Sequence, residues 1–142
     1  MAKLKLLHDV RYLAYAYILM LIVIFILPFY SLEDYTILKN TTSHLGAQNT
    51  PNSWIMNLTF ILLGITSIWA GWRFLGIYWF QKAALLLFGT ALMMTAIFQH
   101  APIDSSLEYN VREDQLHSLF ANITGFSFSL LAISIGFVTN GR

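Results

Sequence analysis

Residues 12–30, YLAYAYILMLIVIFILPFY, form a run of 19 positions without a charged side chain. A helix needs about 20 predominantly apolar residues to cross the hydrocarbon core of a bilayer, so this run predicts a transmembrane helix. Three more apolar runs of similar length lie at residues 54–72, 77–98 and 116–138. The sequence therefore predicts an all-α polytopic membrane protein, a single domain over residues 1–142 with four transmembrane helices.

The composition supports a membrane protein and excludes several other classes. With 57% hydrophobic and 11% charged residues and a mean hydropathy of +0.62, the chain is too apolar for an ordinary soluble domain. The net charge of +1 provides no basic stripe for phosphates, so we expect no nucleic-acid partner. The absence of cysteine excludes disulfides, thiolate metal sites and a cysteine nucleophile.

Charged residues divide between the two ends of the predicted helices. Six of the eight basic residues lie near the two termini or near the short turn between the second and third runs: Lys3, Lys5, Arg11, Arg73, Lys82 and Arg142. The other two, Lys39 and Arg112, share the segments 31–53 and 99–115 with most of the acidic residues. The positive-inside rule then predicts a membrane protein with both termini in the cytoplasm and these two loops outside.

The basic residues before the first run also resemble the start of a secretory signal peptide. The apolar run of 19 residues exceeds the roughly 7–15 of a signal-peptide core, and no A-x-A-like cleavage site follows it. We therefore expect a retained transmembrane helix.

Residue spacing indicates which helix faces point inward. In the fourth run, small residues recur at steps of four and three, which predicts close packing against another helix: Ala121, Gly125, Ser129, Ala132 and Gly136. His117 precedes Ala121 by four positions and is expected to continue that face into the bundle. His100 follows Gly89, Met93 and Ala96 on one face of the third run, and Asn57 leads Gly64 and Gly71 in the second. Polar side chains at the outer ends of three helices are thus expected to converge.

Nine polar residues make up the candidate site: Ser43, His44, Gln48, Asn49, Asn57, His100, Asp104, His117 and Asn122. Polar groups at membrane depth are costly unless they are paired, so such a group is a functional candidate by default. Gln48, Asn49, Asn57 and Asn122 are the expected ligand-binding members, and a lipid or amphiphile that enters from the membrane is the expected ligand.

Two chemistries fit the remaining members. His44, His100 and His117, with Asp104, supply the nitrogen and carboxylate donors that Zn²⁺ uses with an open position for water, so zinc is the candidate cofactor. Alternatively, Ser43 or a water is the nucleophile of a hydrolase, His117 the general base and Asp104 its orienting carboxylate. No local motif decides between these chemistries.

Two interpretations without chemistry stand beside them. Asp104 and His117 could pair only to hold the outer loop, with Asn57 and Asn122 bonding between helices. The chain would then be a non-catalytic membrane subunit or scaffold whose small-residue faces dock another membrane protein.

Short motifs resemble a known family of bacterial membrane proteins. Ser43-His44-Leu45-Gly46, then Pro51, Trp54-Ile55-Met56-Asn57 and Leu63-Gly64, resemble the signature of the domain-of-unknown-function 998 family. Phe98 and Pro102-Ile103-Asp104 are similar to its F-P-x-D element, and Gln115-Leu116-His117 with Ala121 to the helix start that follows. The resemblance covers about two thirds of the chain.

The resemblance implies a bacterial integral membrane protein rather than a particular reaction. It would make Ser43, Gly46, Asp104 and His117 the family's polar positions, whereas His44 and His100 lie outside its pattern. Since relatives typically have about six helices, the resemblance also implies that this four-helix chain is a shortened relative or a fragment. The residue types faintly resemble those of ceramidase-like transmembrane hydrolases, by analogy only.

Overall fold

The computed structural model describes residues 2–31 and 34–140, with side chains from 10 to 31 and from 34 to 137. Three of the basic residues used for the orientation, Lys3, Lys5 and Arg142, lie outside the described side chains, as do positions 32 and 33 of the first outer loop.

Four α-helices account for most of the described chain: α1 (Ala2–Ile26), α2 (Ser53–Phe74), α3 (Trp79–Ile97) and α4 (Val111–Asn140). Two short 3-10 helices, Leu27–Tyr30 and Thr42–Gly46, lie between α1 and α2, and the described residues form no β-strand. Four segments are long and apolar enough to cross a membrane: Val10–Tyr30, Ser53–Phe74, Trp79–Ile97 and Val111–Phe137. The all-α prediction with four potential membrane helices is confirmed.

The fourth helix begins earlier than the sequence predicts. It starts at Val111, because the side-chain oxygen of Asn110 accepts hydrogen bonds from the backbone N–H groups of Arg112 at 3.0 Å and Glu113 at 3.3 Å. Such an N-cap satisfies donors that the first helical turn leaves unpaired. The apolar run alone misses this polar first turn.

The helices pack in chain order, with α1 against α2, α2 against α3 and α3 against α4. In the most apolar 18-residue stretch of each helix, 44% of the residues are buried in both α2 and α3, but only 17% in the first span and 11% in α4. The helices α2 and α3 therefore form the centre of the bundle. We call the end that holds segments 27–53 and 98–110 the loop end. The opposite end, with the α2–α3 turn, the start of α1 and the end of α4, is the terminal end.

Glycine allows α2 and α3 to approach each other closely. A Cβ built on Gly64 would lie 2.7 Å from the backbone oxygen of Gly89, and one on Gly89 would lie 2.9 Å from that of Gly64. Neither residue can be enlarged without a shift of the helices. The inward-facing role predicted for this part of both helices is confirmed.

The small residues of the face predicted for α4 are not packed as closely as Gly64 and Gly89 are. A Cβ on Gly125 or Gly136 would meet nothing within 4 Å, and Ser129 and Ala132 are exposed. The prediction that this face packs inside the bundle is wrong from Gly125 onwards, whereas His117, which begins the face, is 3% exposed. α4 instead contacts α3 through larger side chains, among them Phe128, whose ring centroid lies 5.6 Å from that of Phe88.

The first long loop folds back over the ends of the central helices. Leu45, fully buried, joins Met56 of α2 and Leu92 of α3 in one hydrophobic cluster with Val23 and Leu27 of the first span. Burial of Leu45 fixes the 3-10 helix Thr42–Gly46 against the bundle and so places the side chains beside it.

Candidate functional site

Three histidines from separate segments meet at the loop end. His44 belongs to the 3-10 helix Thr42–Gly46, His100 follows α3, and His117 lies in the second turn of α4. The rings of His44 and His100 stack with centroids 4.7 Å apart, and those of His100 and His117 lie 5.0 Å apart. The convergence expected from the helix faces therefore occurs for His100 and His117, and His44 joins them from the first loop. We call these three residues the histidine cluster.

His117 is held by the end of a neighbouring helix. Its Nδ1 lies 2.9 Å from the backbone oxygen of Thr95 and 2.8 Å from that of Phe98. Both partners are acceptors, so Nδ1 carries the proton and donates to them. The other ring nitrogen, Nε2, is buried without a hydrogen-bond partner. In the neutral imidazole it presents an unshared lone pair.

An acidic side chain of α4 accompanies His100. Asp114 Oδ1 lies 2.8 Å from His100 Nδ1 and accepts a hydrogen bond of 2.8 Å from the backbone N–H of Ala101. The His100 contact is close, but His100 Nδ1 lacks the alignment of a hydrogen bond. The pair is partly exposed, at 27% for His100 and 24% for Asp114, so solvent or a ligand reaches the cluster from this side.

His44 is oriented by its own loop. The backbone N–H of Thr41 donates to His44 Nδ1 at 3.2 Å, and the Thr41 hydroxyl lies 2.9 Å from the same nitrogen. Because Nδ1 accepts from a backbone donor, the neutral ring carries its proton on Nε2. His44 therefore offers a hydrogen-bond donor, whereas His117 offers an acceptor.

Burial favours the uncharged form of His44 and His100, which both lie outside the membrane-spanning segments. Desolvation lowers the pKa of His44, and desolvation together with the nearby His44 and His117 rings lowers the pKa of His100, against the attraction of Asp114. At neutral pH these two rings are uncharged.

The fit of the cluster to a metal is poor. Among the described residues, no group of three His, Asp or Glu side chains is placed to hold one metal ion. His44 and His100 stack face to face, and ring-nitrogen lone pairs lie in the ring plane. His44 Nε2 also carries the proton in its present hydrogen bonding, which prevents ligation there. Zinc at His44, His100 and His117 stays a sequence prediction without geometric support.

Two of the predicted ligand-binding residues join the loops. Gln48 is buried. Its side-chain nitrogen donates to the backbone oxygens of Gln99 and Asn110, and its side-chain oxygen accepts from the Asn110 N–H at 2.7 Å. Asn49 donates to the backbone oxygen of Glu108 at 2.9 Å. These amides fasten the first loop to the second and so hold His44 near His100.

The other two predicted ligand-binding residues differ in position. Asn57 is buried and donates to the Gly46 backbone oxygen at 3.1 Å. A Cβ on Gly46 would overlap its side chain, so Gly46 is required for this contact. Asn122 is exposed on α4.

The predicted catalytic residues are brought together only in part. Asp104 is exposed, and its carboxylate accepts hydrogen bonds from the backbone N–H of Ser106 at 2.9 Å and its hydroxyl at 2.7 Å. These bonds lower the pKa of Asp104. The groups that orient His117 are thus backbone carbonyls rather than Asp104. Ser43 is half-buried beside His44, and no described hydrogen bond joins it to His117.

Sequence reasoning missed Asp114. It precedes His117 by three positions, so a helix that starts at Val111 places both on one side of its first turns. The Asn110 N-cap was the available signal.

A search of protein families matches residues 14–142 to the family described as "Protein of unknown function (DUF998)". The chain belongs to this family. The predicted membership in DUF998 is confirmed, and the matched range includes all three members of the histidine cluster. No curated protein and no solved structure matches the chain. The DUF998 description names no activity, so functional inference rests on the site itself.

Proposed function

We propose that this DUF998 protein binds a membrane lipid or related amphiphile, with its headgroup at the histidine cluster, and hydrolyses the bound molecule. The observation that carries the proposal is His117, 3% exposed, whose donated Nδ1 proton leaves Nε2 as a buried acceptor without a partner. A general base needs this arrangement: a fixed tautomer, a fixed ring and a free lone pair.

His117 would act on a water molecule. Nε2 takes a proton from the water as its oxygen bonds to the ester carbonyl or phosphoryl centre. The resulting imidazolium then gives that proton to the departing alcohol oxygen as its bond breaks. The Nε2–H of His44 is a donor suited to a substrate oxygen, and Asp114 beside His100 balances positive charge that develops on the cluster.

The surroundings of the loop end favour an amphiphilic ligand. The cluster lies where the membrane-spanning segments end, and exposed aromatic side chains of the interfacial kind lie at the same end, among them Phe29, Tyr30 and Trp54. A groove of about 320 Å³ between α1 and α2 is lined there mainly by apolar side chains, including Ile26, Leu27 and Ile55, with Tyr30 and Asn52 at its polar edge. Such a groove suits an acyl chain.

The deciding comparison is the wild-type protein against His117→Asn in vesicles of phosphatidylethanolamine and phosphatidylglycerol. The asparagine amide can still donate to the carbonyls that His117 holds, but it has no basic nitrogen. Free fatty acids and released headgroups are measured by mass spectrometry. We expect product from the wild type and at least a 100-fold lower rate from the variant, the usual scale of general-base catalysis. Equal rates, or no product from the wild type, would overturn the hydrolase proposal.

We also propose that the loop end faces outward from a bacterial cell membrane, with both termini in the cytoplasm. The asymmetry of Arg73 and Lys82 at the terminal end supports this orientation. Because the chain has no cysteine, Lys39→Cys and Lys82→Cys can each be labelled with an impermeant maleimide. We expect intact cells to label the first only, and the reverse pattern would refute the orientation.

A second candidate function is docking of another membrane protein by α4. Open space around Gly125 and Gly136 favours it, since small residues permit close helix approach. This function predicts that Gly125→Leu disrupts a co-purifying complex, whereas His117→Asn leaves that complex intact.

A further inference from the structure

Asp114 is a partly buried carboxylate that lacks a permanent positive partner. Its side chain is 24% exposed, and its Oδ1 accepts the backbone N–H of Ala101 and lies 2.8 Å from His100 Nδ1. The His100 contact lacks the alignment of a hydrogen bond, and burial lowers the pKa of that ring. Asp114 Oδ2 accepts no hydrogen bond from the part of the chain that the structure describes. One carboxylate oxygen is therefore open to a donor from outside the protein.

The basic side chains of the loop end do not supply this partner. Among the described side chains, Lys39 and Arg112 are the basic residues at this end, both exposed, and neither makes an ion pair with Asp114. Arg112 precedes Asp114 by two positions on α4, and side chains at that spacing do not face each other. A charge that is partly removed from water is costly without a partner of opposite sign. The surroundings of Asp114 therefore favour a cationic ligand.

Asp114 also lies close to the nitrogen proposed as the general base. It precedes His117 by three positions on α4, so both side chains lie on one side of the helix. The His100 ring is near both, with Nδ1 2.8 Å from Asp114 Oδ1 and its centroid 5.0 Å from that of His117. His117 is 3% exposed, and its Nε2 has no hydrogen-bond partner. A free carboxylate oxygen and a buried free lone pair thus lie beside the same imidazole ring.

We infer that the substrate is an aminophospholipid, whose primary ammonium binds Asp114 Oδ2 while the adjoining phosphate lies within the histidine cluster. In an ethanolamine headgroup only two carbons and an oxygen separate the ammonium from phosphorus, so both groups fit beside one imidazole. A glycerol headgroup would bring an anionic phosphate near Asp114 without a cation, at an electrostatic cost. A choline headgroup has the charge but no N–H for Oδ2. The inference rests on the proposed function and makes Asp114 the residue that selects the headgroup.

Competition between two lipids in one vesicle tests the inference. The protein is reconstituted with equal amounts of phosphatidylethanolamine and phosphatidylglycerol, and the phosphatidylglycerol carries deuterated acyl chains, so mass spectrometry assigns each acyl product to its parent lipid. The product ratio reports the ratio of the two kcat/KM values, whatever the amount of active protein. We expect about a tenfold preference for phosphatidylethanolamine, the scale of one hydrogen bond to a charged group. Asp114→Asn keeps an acceptor for the Ala101 N–H but loses the charge, and should reduce the preference below about threefold.

A matched variant separates headgroup selection from a general loss of charge. Glu113→Gln removes the same charge from the neighbouring position of α4 and should leave the lipid preference unchanged. A lower rate for both lipids in Asp114→Asn, with an undiminished preference, would show that Asp114 acts only on the histidines. That result, or equal use of the two lipids by the wild type, would overturn the inference while the hydrolase proposal stands.

A binding measurement keeps failure of the two proposals distinguishable. His117→Asn lacks the basic nitrogen, so native mass spectrometry can weigh the lipids that this variant retains after extraction from the same vesicles. If the wild type forms no product, the hydrolase proposal fails, and equal retention of the two lipids would overturn the headgroup inference too. Preferred retention of phosphatidylethanolamine that is lost when Asp114→Asn is added would support it. Loss of that preference in the presence of free ethanolamine phosphate, at a concentration equal to that of the lipid, would assign the site to a soluble amine instead.

Discussion

Replacement of His117 by alanine should destabilise the protein far more than replacement by asparagine. The C-terminal carbonyls of a helix have no partner within that helix, and His117 Nδ1 supplies a proton to two such oxygens, of Thr95 and Phe98. A buried polar group left unpaired costs about 1–3 kcal/mol. Because a single N–H serves both oxygens, their loss in His117→Ala should cost less than two separate bonds and lower the free energy of unfolding by about 2–4 kcal/mol. Asparagine offers a donor in nearly the same place, so we expect a loss below about 1 kcal/mol.

Thermal unfolding of the two variants in detergent tests this reasoning. At roughly 3–4 °C per kcal/mol for a chain of this size, His117→Ala should lower the midpoint by roughly 6–16 °C and His117→Asn by less than about 4 °C. Equal losses in the two variants would show that the hydrogen bonds to α3 contribute nothing, and that the imidazole is held by packing alone. No loss in either would refute the capping role of His117.

Two further predictions concern helix packing and pH. Gly64→Ala should lower the free energy of unfolding by about 1–3 kcal/mol, because its Cβ would press on the Gly89 backbone. Gly125→Ala, in open space, should be neutral or stabilising by up to about 1 kcal/mol. Equal thermal unfolding midpoints for the two variants would contradict this. Burial lowers the pKa of His44 and His100 below the unfolded value of about 6.5. The unfolded chain therefore binds more protons as the pH falls, and the stability of the folded protein should decrease from about pH 7 to pH 5. A thermal unfolding midpoint that does not fall over this range would argue against it, as would an unchanged pH dependence of the midpoint in the double variant His44→Gln, His100→Gln.

The sequence predicted the helices better than the contacts between them. Apolar runs identify helices because membrane thickness sets their length, and all four were found. The exposed stripe at Gly125 shows the limit of residue spacing: small residues at helical intervals permit close packing but do not say whether a partner helix is there. Gly64 has the same residue type and is buried against Gly89. Only the packing order of the helices distinguishes the two.

The site was predicted in part for a related reason. His100 and His117 converge because each lies at the loop end of a predicted helix, and that position can be read from the apolar runs. His44 reaches them from the first loop, where burial of Leu45 fixes its segment, and this contact could not be read from hydropathy. The pairing of Asp104 with Ser106 could not be read in this way, because a side chain in a tight loop can bond to its own backbone neighbourhood instead of a distant residue. Asp114 was missed because the helix start was judged from hydropathy alone.

The free nitrogen of His117 follows from a structural need of the membrane fold. Where α3 ends, its last carbonyls must find donors, because little water reaches them. An imidazole can supply only one donor when it is neutral, and the nitrogen opposite must then be an acceptor. A lysine or an asparagine could cap α3 without presenting a basic nitrogen with a free lone pair, since the protonated lysine has only donors and the acceptor of asparagine is a weakly basic amide oxygen. Histidine thus adds to the cap of one helix a buried nitrogen with a free lone pair, on a ring that lies beside that of His100. His117→Asn should remove the basic nitrogen and keep the cap, whereas His117→Ala should remove both.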